Sequence, residues 1–175
     1  LDPQRLYFTS AYAPRVYFLY EGACYTDALG ATIANASNPT SQILSGNTFT
    51  IFPCAHSSIS YICASNSGVR TQSEPLLAGD FVQLPTVNAG QQLSFFAMCN
   101  LSGNTPADTY YNGTSNNVDN FQHMIAFFPD NSQYIIIGFE DMLNGGDQDC
   151  NDLMFVVDVG STNAAALRNA STLPK

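Results

Sequence analysis

Residues 134–157 read YIIIGFEDMLNGGDQDCNDLMFVV. Tyr134-Ile135-Ile136-Ile137-Gly138-Phe139 and Leu153-Met154-Phe155-Val156-Val157 are short runs of β-branched and aromatic residues, the composition of strands. The segment 140–152 between them is punctuated by Gly, Asn and Asp, as turns and loops are. The acidic stretch therefore leads into a strand and not a helix, and the pair reads as two strands joined by an acidic loop.

The same composition recurs at 16–20, 48–52, 59–62, 81–84, 92–98 and 124–128, with turn residues in the gaps. No sustained helical periodicity interrupts them before the C-terminal tail. Eight or so strands without intervening helices predict an all-β fold: a two-sheet antiparallel β-sandwich, jelly-roll-like. Two polar stretches, 34–46 and 100–120, read as long loops, and loops of that length are usually functional or mobile. The expected organisation is one domain over 1–160 and a tail or linker over 161–175, where Ala164-Ala165-Ala166-Leu167-Arg168 forms a weak helical run. Leu6-Tyr7-Phe8 reads either as an ordinary first strand or as a segment that pairs with a neighbouring molecule's sheet edge.

Composition narrows the class further. Of 175 residues, 45% are hydrophobic and 11% charged, so the chain is globular and its polar surface rests mainly on uncharged side chains. Fourteen acidic residues against five basic ones give a net charge of -9, which argues against a nucleic-acid partner. No apolar run reaches the length of a transmembrane helix. The five cysteines lack zinc-ligand spacing, and Cys54 and Cys63 flank a short segment that a disulfide could close.

The acidic loop carries the chemistry. Glu140, Asp141, Asp147, Asp149 and Asp152 fall within thirteen positions with no Lys or Arg among them. A hard divalent cation offsets such crowding, since calcium takes six to eight oxygen ligands and accepts carboxylates, Asn amides and carbonyls. Asp147, Asp149 and Asn151 stand at alternate positions, as in the first half of a calcium loop, after a Gly145-Gly146 turn. The loop is not an EF-hand, because Asp152 occupies the glycine position and a strand replaces the exiting helix. Magnesium tolerates so many protein carboxylates less well. The competing reading is a solvated acidic turn. Glu21 and Asp27, in the segment after the strand at 16–20, are weaker candidates for completing the site.

Three phrases together carry a family resemblance: VYFLYEGACYTDALG over 16–30, LAGDFVQLPTVNAGQQLSFFAMCN over 77–100, and GFEDMLNGGDQDCND over 138–152, preceded by His123 and an aromatic strand. The chain resembles, over about 10–160, the bacterial domain of unknown function 4114, a family of exported and surface-protein modules. The resemblance implies a calcium-dependent β-sandwich with ligands among Glu140, Asp141, Asp147, Asp149, Asn151 and Asp152, with Glu21 and Asp27 as weaker candidates. Cys24 and Cys150 stand where the family usually has Gly and Tyr, which raises a Cys24 to Cys150 disulfide as an expectation.

The function expected from this reading is a non-enzymatic, calcium-binding extracellular module, secreted or at the cell surface. It would act in adhesion or as a self-associating subunit of a surface assembly or filament. The alternative is a calcium-dependent, lectin-like module for a surface glycan or peptide, although the chain has no Trp for sugar stacking. An enzyme is not expected. Adjacent strand residues such as Glu140 and Asp141 point to opposite faces, and neither His56 nor His123 adjoins a nucleophile recognisable in the sequence.

Overall fold

The structure, a computed structural model, describes residues 3–36, 46–56, 75–101 and 105–169. Ten strands are found among them: β1 (Leu6–Tyr7), β2 (Arg15–Tyr20), β3 (Ala28–Asn35), β4 (Asn47–Phe52), β5 (Phe81–Gln83), β6 (Gln91–Cys99), β7 (Asp108–Tyr111), β8 (Met124–Phe127), β9 (Tyr134–Phe139) and β10 (Leu153–Asp158). They form two five-stranded antiparallel sheets, an all-β sandwich. One runs β1-β6-β3-β4, with β7 beside β1 along the same edge of β6; the other runs β5-β2-β10-β9-β8.

Alternation explains which face each strand buries. In β10, Leu153, Phe155 and Val157 point inward, and in β9 Ile135, Ile137 and Phe139 do so; Phe95 of β6 meets Phe155 across the sandwich with ring centroids 5.0 Å apart. β1 pairs with β6 of its own chain, and Leu6 and Phe8 are buried, so this segment is an ordinary first strand.

Two strands were not among the expected ones. β3 lacks the bulky composition of a strand, yet it is central to its sheet and almost wholly buried. Its small residues serve packing: a Cβ on Gly30 would lie 2.2 Å from the Phe96 ring, so the ring covers this stretch of strand only because glycine leaves room. β7 lies inside the stretch 100–120 and pairs with the end of β6. The expected strand at 59–62 lies outside the described residues.

The expected helical run forms α1 (Ser161–Asn169), whose Ala164 and Leu167 enter the core. Asn163 ties it down, its side-chain oxygen accepting from the N–H groups of Thr9 and Ser10, 3.0 Å each. Cys24, Cys99 and Cys150 are free thiols, so the Cys24 to Cys150 cross-link does not form. Cys24 is exposed whereas Cys150 is buried under its own loop. Cys54 is disulfide-bonded; Cys63 lies outside the described residues.

Candidate metal centre

β9 and β10 are paired from Leu153 opposite Phe139 to Asp158 opposite Tyr134, so the segment 140–152 closes a hairpin at one end of the sandwich. Its path needs left-handed backbone at Asn144, Gly145, Gly146, Gln148 and Cys150. Asn and Gly accept that conformation at low cost, which is why a loop this sharp is written with them. A Cβ on Gly138 would fall 2.2 Å from the Cys150 carbonyl, so glycine at this position of β9 is what lets the loop fold back over the strand. Asx turns then set the next residues: Asp149 Oδ1 accepts from the Asn151 N–H at 3.0 Å, and the Asn151 amide also donates to Asp149 Oδ2.

These turns gather the carboxylates into two groups that share Glu140. In one, Glu140, Asp147 and Asp149 each offer an oxygen, all within 4.8 Å of one another; in the other, Glu140, Asp141 and Asp152 do the same. Their settings differ. Asp147 and Asp149 are exposed, whereas Glu140 and Asp141 are 1% and 6% exposed. Asp152 accepts the Asp141 N–H at 2.9 Å.

Asp27, 1% exposed, joins the second group from the connection between β2 and β3. Its Oδ1 accepts the Asn100 N–H at 3.0 Å, and its carboxyl meets that of Asp141. Asp27 Oδ2, Asp141 Oδ2 and Glu140 Oε2 are all buried without a hydrogen-bond partner. Burial, with neighbouring carboxylates adding to it, raises the affinity of these groups for protons. Asp141, beside Asp27, is pushed up to about 8 and Glu140, beside Asp152, to about 7. Burial pushes Asp27 up to about 6, against the lowering effect of the Asn100 N–H.

The placement of Glu140 and Asp141 corrects the expectation that they point apart. β9 ends at Phe139, so both residues lie past the alternating strand and turn into the same group. Glu21 is buried with His56 Nδ1 at 4.0 Å from its carboxylate, and its charge acts on Asp27. Asn151 packs its side chain on Asp149, with Gly22 close against its Oδ1.

A supporting network was not legible in the sequence. His123, buried and stacked on Tyr110 at 3.6 Å, reaches the Glu140 carbonyl with Nδ1 at 2.8 Å and Asp119 with Nε2 at 3.0 Å. The Glu140 N–H in turn donates to the His123 carbonyl. Asp119 also accepts the N–H groups of Asn144 and Phe121, holding the loop from its far side. Burial opposes ionisation of Asp119, yet these donors outweigh it and hold the carboxyl down at about 2. The only local signal was an Asp four residues before a His. Among the described residues, Glu140 with Asp147 and Asp149, and Glu140 with Asp141 and Asp152, are thus groups that could hold a metal ion.

Residues 76–160 match the model of a family described as a domain of unknown function, DUF4114. The matched stretch contains the acidic loop and the segment 77–100; the phrase at 16–30 lies outside it. Neither the curated proteins nor the solved structures compared with the chain gave a match.

Proposed function

For a chain whose residues 76–160 match DUF4114, a family that carries no functional assignment, we propose a calcium-binding, non-enzymatic β-sandwich module of an extracellular or surface protein. The observation that carries this reading is the set of buried carboxylate oxygens without partners at Asp27, Glu140 and Asp141, beside Asp147, Asp149 and Asp152. Carboxylates buried together at neutral pH need either protons or a cation, and an all-oxygen donor set favours a hard one. Calcium fits better than magnesium, because it accepts many carboxylates in irregular geometry and gives up its water readily.

The module acts by holding a shape. An ion that binds only the folded chain stabilises it by RT ln(1 + [L]/Kd), about 4 kcal/mol for millimolar calcium over a micromolar site. Folding is then strongest where calcium is millimolar, outside the cell, which suits adhesion or assembly. His123 supports a structural role, since both ring nitrogens are engaged in holding the loop.

Thermal unfolding of metal-stripped protein, with and without millimolar calcium, tests the reading. A rise on the order of 10 °C is expected. An unchanged melting temperature overturns it. Sedimentation in calcium, together with glycan arrays, then separates an assembling subunit from a lectin-like module.

A further inference from the structure

Resting on the calcium reading, we propose that the centre holds two divalent cations, an inner and an outer one, with Glu140 as the carboxylate common to both. The geometry of the two acidic groups leads there. A spread of 4.8 Å is about twice a calcium–oxygen bond of roughly 2.4 Å, the widest separation two ligands of one ion can have. Each group therefore fits one coordination sphere. Among the described residues, however, Asp147 and Asp149 combine with Glu140 apart from Asp141 and Asp152, and no single group unites all five.

Charge and burial point the same way. Six carboxylates converge, counting Asp27, and three of them are buried, so when all are ionised one divalent ion would leave four negative charges and two ions leave two. The unpartnered oxygens of Asp27 and Asp141 are buried, Asp141 is grouped apart from the exposed Asp147 and Asp149, and an ion held by Asp147 and Asp149 alone would leave those oxygens without a cation. Glu140 is placed to serve both: its Oε1 abuts Gly146, next to Asp147, while Oε2 is buried and free.

The two ions then differ in role. The inner one joins the connection between β2 and β3, through Asp27, to the β9–β10 hairpin, and so links segments more than a hundred residues apart in sequence. The outer one sits on side chains open to solvent and orders the loop 140–152.

Equilibrium dialysis of the metal-stripped whole chain against calcium, with circular dichroism as the folding check, tests the proposal. Two ions per wild-type chain are expected, one for Asp141→Ala and one for Asp147→Ala. One ion in the wild type overturns the two-ion centre and leaves the calcium reading standing; none overturns both. Two ions in the wild type with two retained in a folded Asp141→Ala also overturn the proposal, since the second ion then lies elsewhere. If Asp141→Ala fails to fold, Asp141→Asn takes its place: one ion is expected, and two retained overturn the proposal.

Discussion

The carboxyl of Asp27 meets that of Asp141, two acids 114 positions apart (141 less 27) with an unpartnered, buried oxygen on each. Without metal, such a pair favours protons. Asp27, Glu140 and Asp141 are raised to about 6, 7 and 8, above the values near 4 of an unfolded chain. An acid whose folded value is raised binds more protons folded than unfolded, so stability falls as pH rises between the two values. Metal-stripped protein should therefore melt at progressively lower temperature from about pH 4.5 to pH 8. Calcium replaces the protons and should flatten or reverse that slope. A calorimetric series across pH, with and without calcium, checks it; parallel curves would count against a shared site.

Glu140→Gln should change stability in opposite directions in the two buffers. The substitution keeps the shape of a buried side chain while removing a charge that Asp152 and Asp147 repel. At pH 8 the metal-free protein should gain about 1 kcal/mol, a few degrees, whereas the stabilisation by calcium should shrink by more than half. Asp147→Ala makes the contrast. Its side chain is exposed, so the metal-free melting temperature should move by no more than about 2 °C, with a partial loss of the calcium increment. Scanning calorimetry of both variants in both buffers separates these outcomes.

How much of this was legible in the sequence depends on how local each signal is. β9, β10 and β6 declare themselves through bulky residues at strand spacing, and the loop 140–152 through acids crowded within one hairpin. β3 did not, because a central strand lying beneath the Phe96 ring is selected for smallness at Gly30, and Ala28, Ala31 and Ala34 carry no strand signature. Asp27 was readable only as a weaker candidate for completing the site. Its place at the centre depends on β3 pairing with β6, which brings Asn100 to its Oδ1. Glu21 looked equivalent in sequence, yet the same fold turns it towards His56.

Asp119→Ala should destabilise the protein whether or not calcium is present, unlike any substitution among the exposed ligands. It removes the acceptor for His123 Nε2 and for the N–H groups of Asn144 and Phe121, and the first of these is buried. A buried donor left without an acceptor costs about 1 to 3 kcal/mol, so a fall of roughly 2 to 12 °C is expected in both buffers. Because Asn144 anchors the loop, the calcium affinity should also weaken. Paired melts and a calcium titration measure the two effects; a loss confined to the calcium buffer would place Asp119 among the ligands instead.

Two glycines offer a matched test of whether Glu140 is held in the ligating position by close packing. Gly146 and Gly79 both have positive φ, at +41° and +97°, so alanine at either strains the backbone by about 1 to 3 kcal/mol. They differ in what the new methyl meets. At Gly79 nothing lies within 4 Å, whereas at Gly146 the Cβ would come 2.3 Å from Glu140 Oε1. That carboxylate must then rotate or withdraw, and a bridging ligand that moves away from one ion disturbs both. Both alanine variants should melt a few degrees lower without metal, but only Gly146→Ala should lose calcium affinity, by tenfold or more, in a titration followed by calorimetry. Equal affinities for the two variants would mean that the Glu140 carboxylate can shift without cost, and that its contact with Gly146 does not set the site.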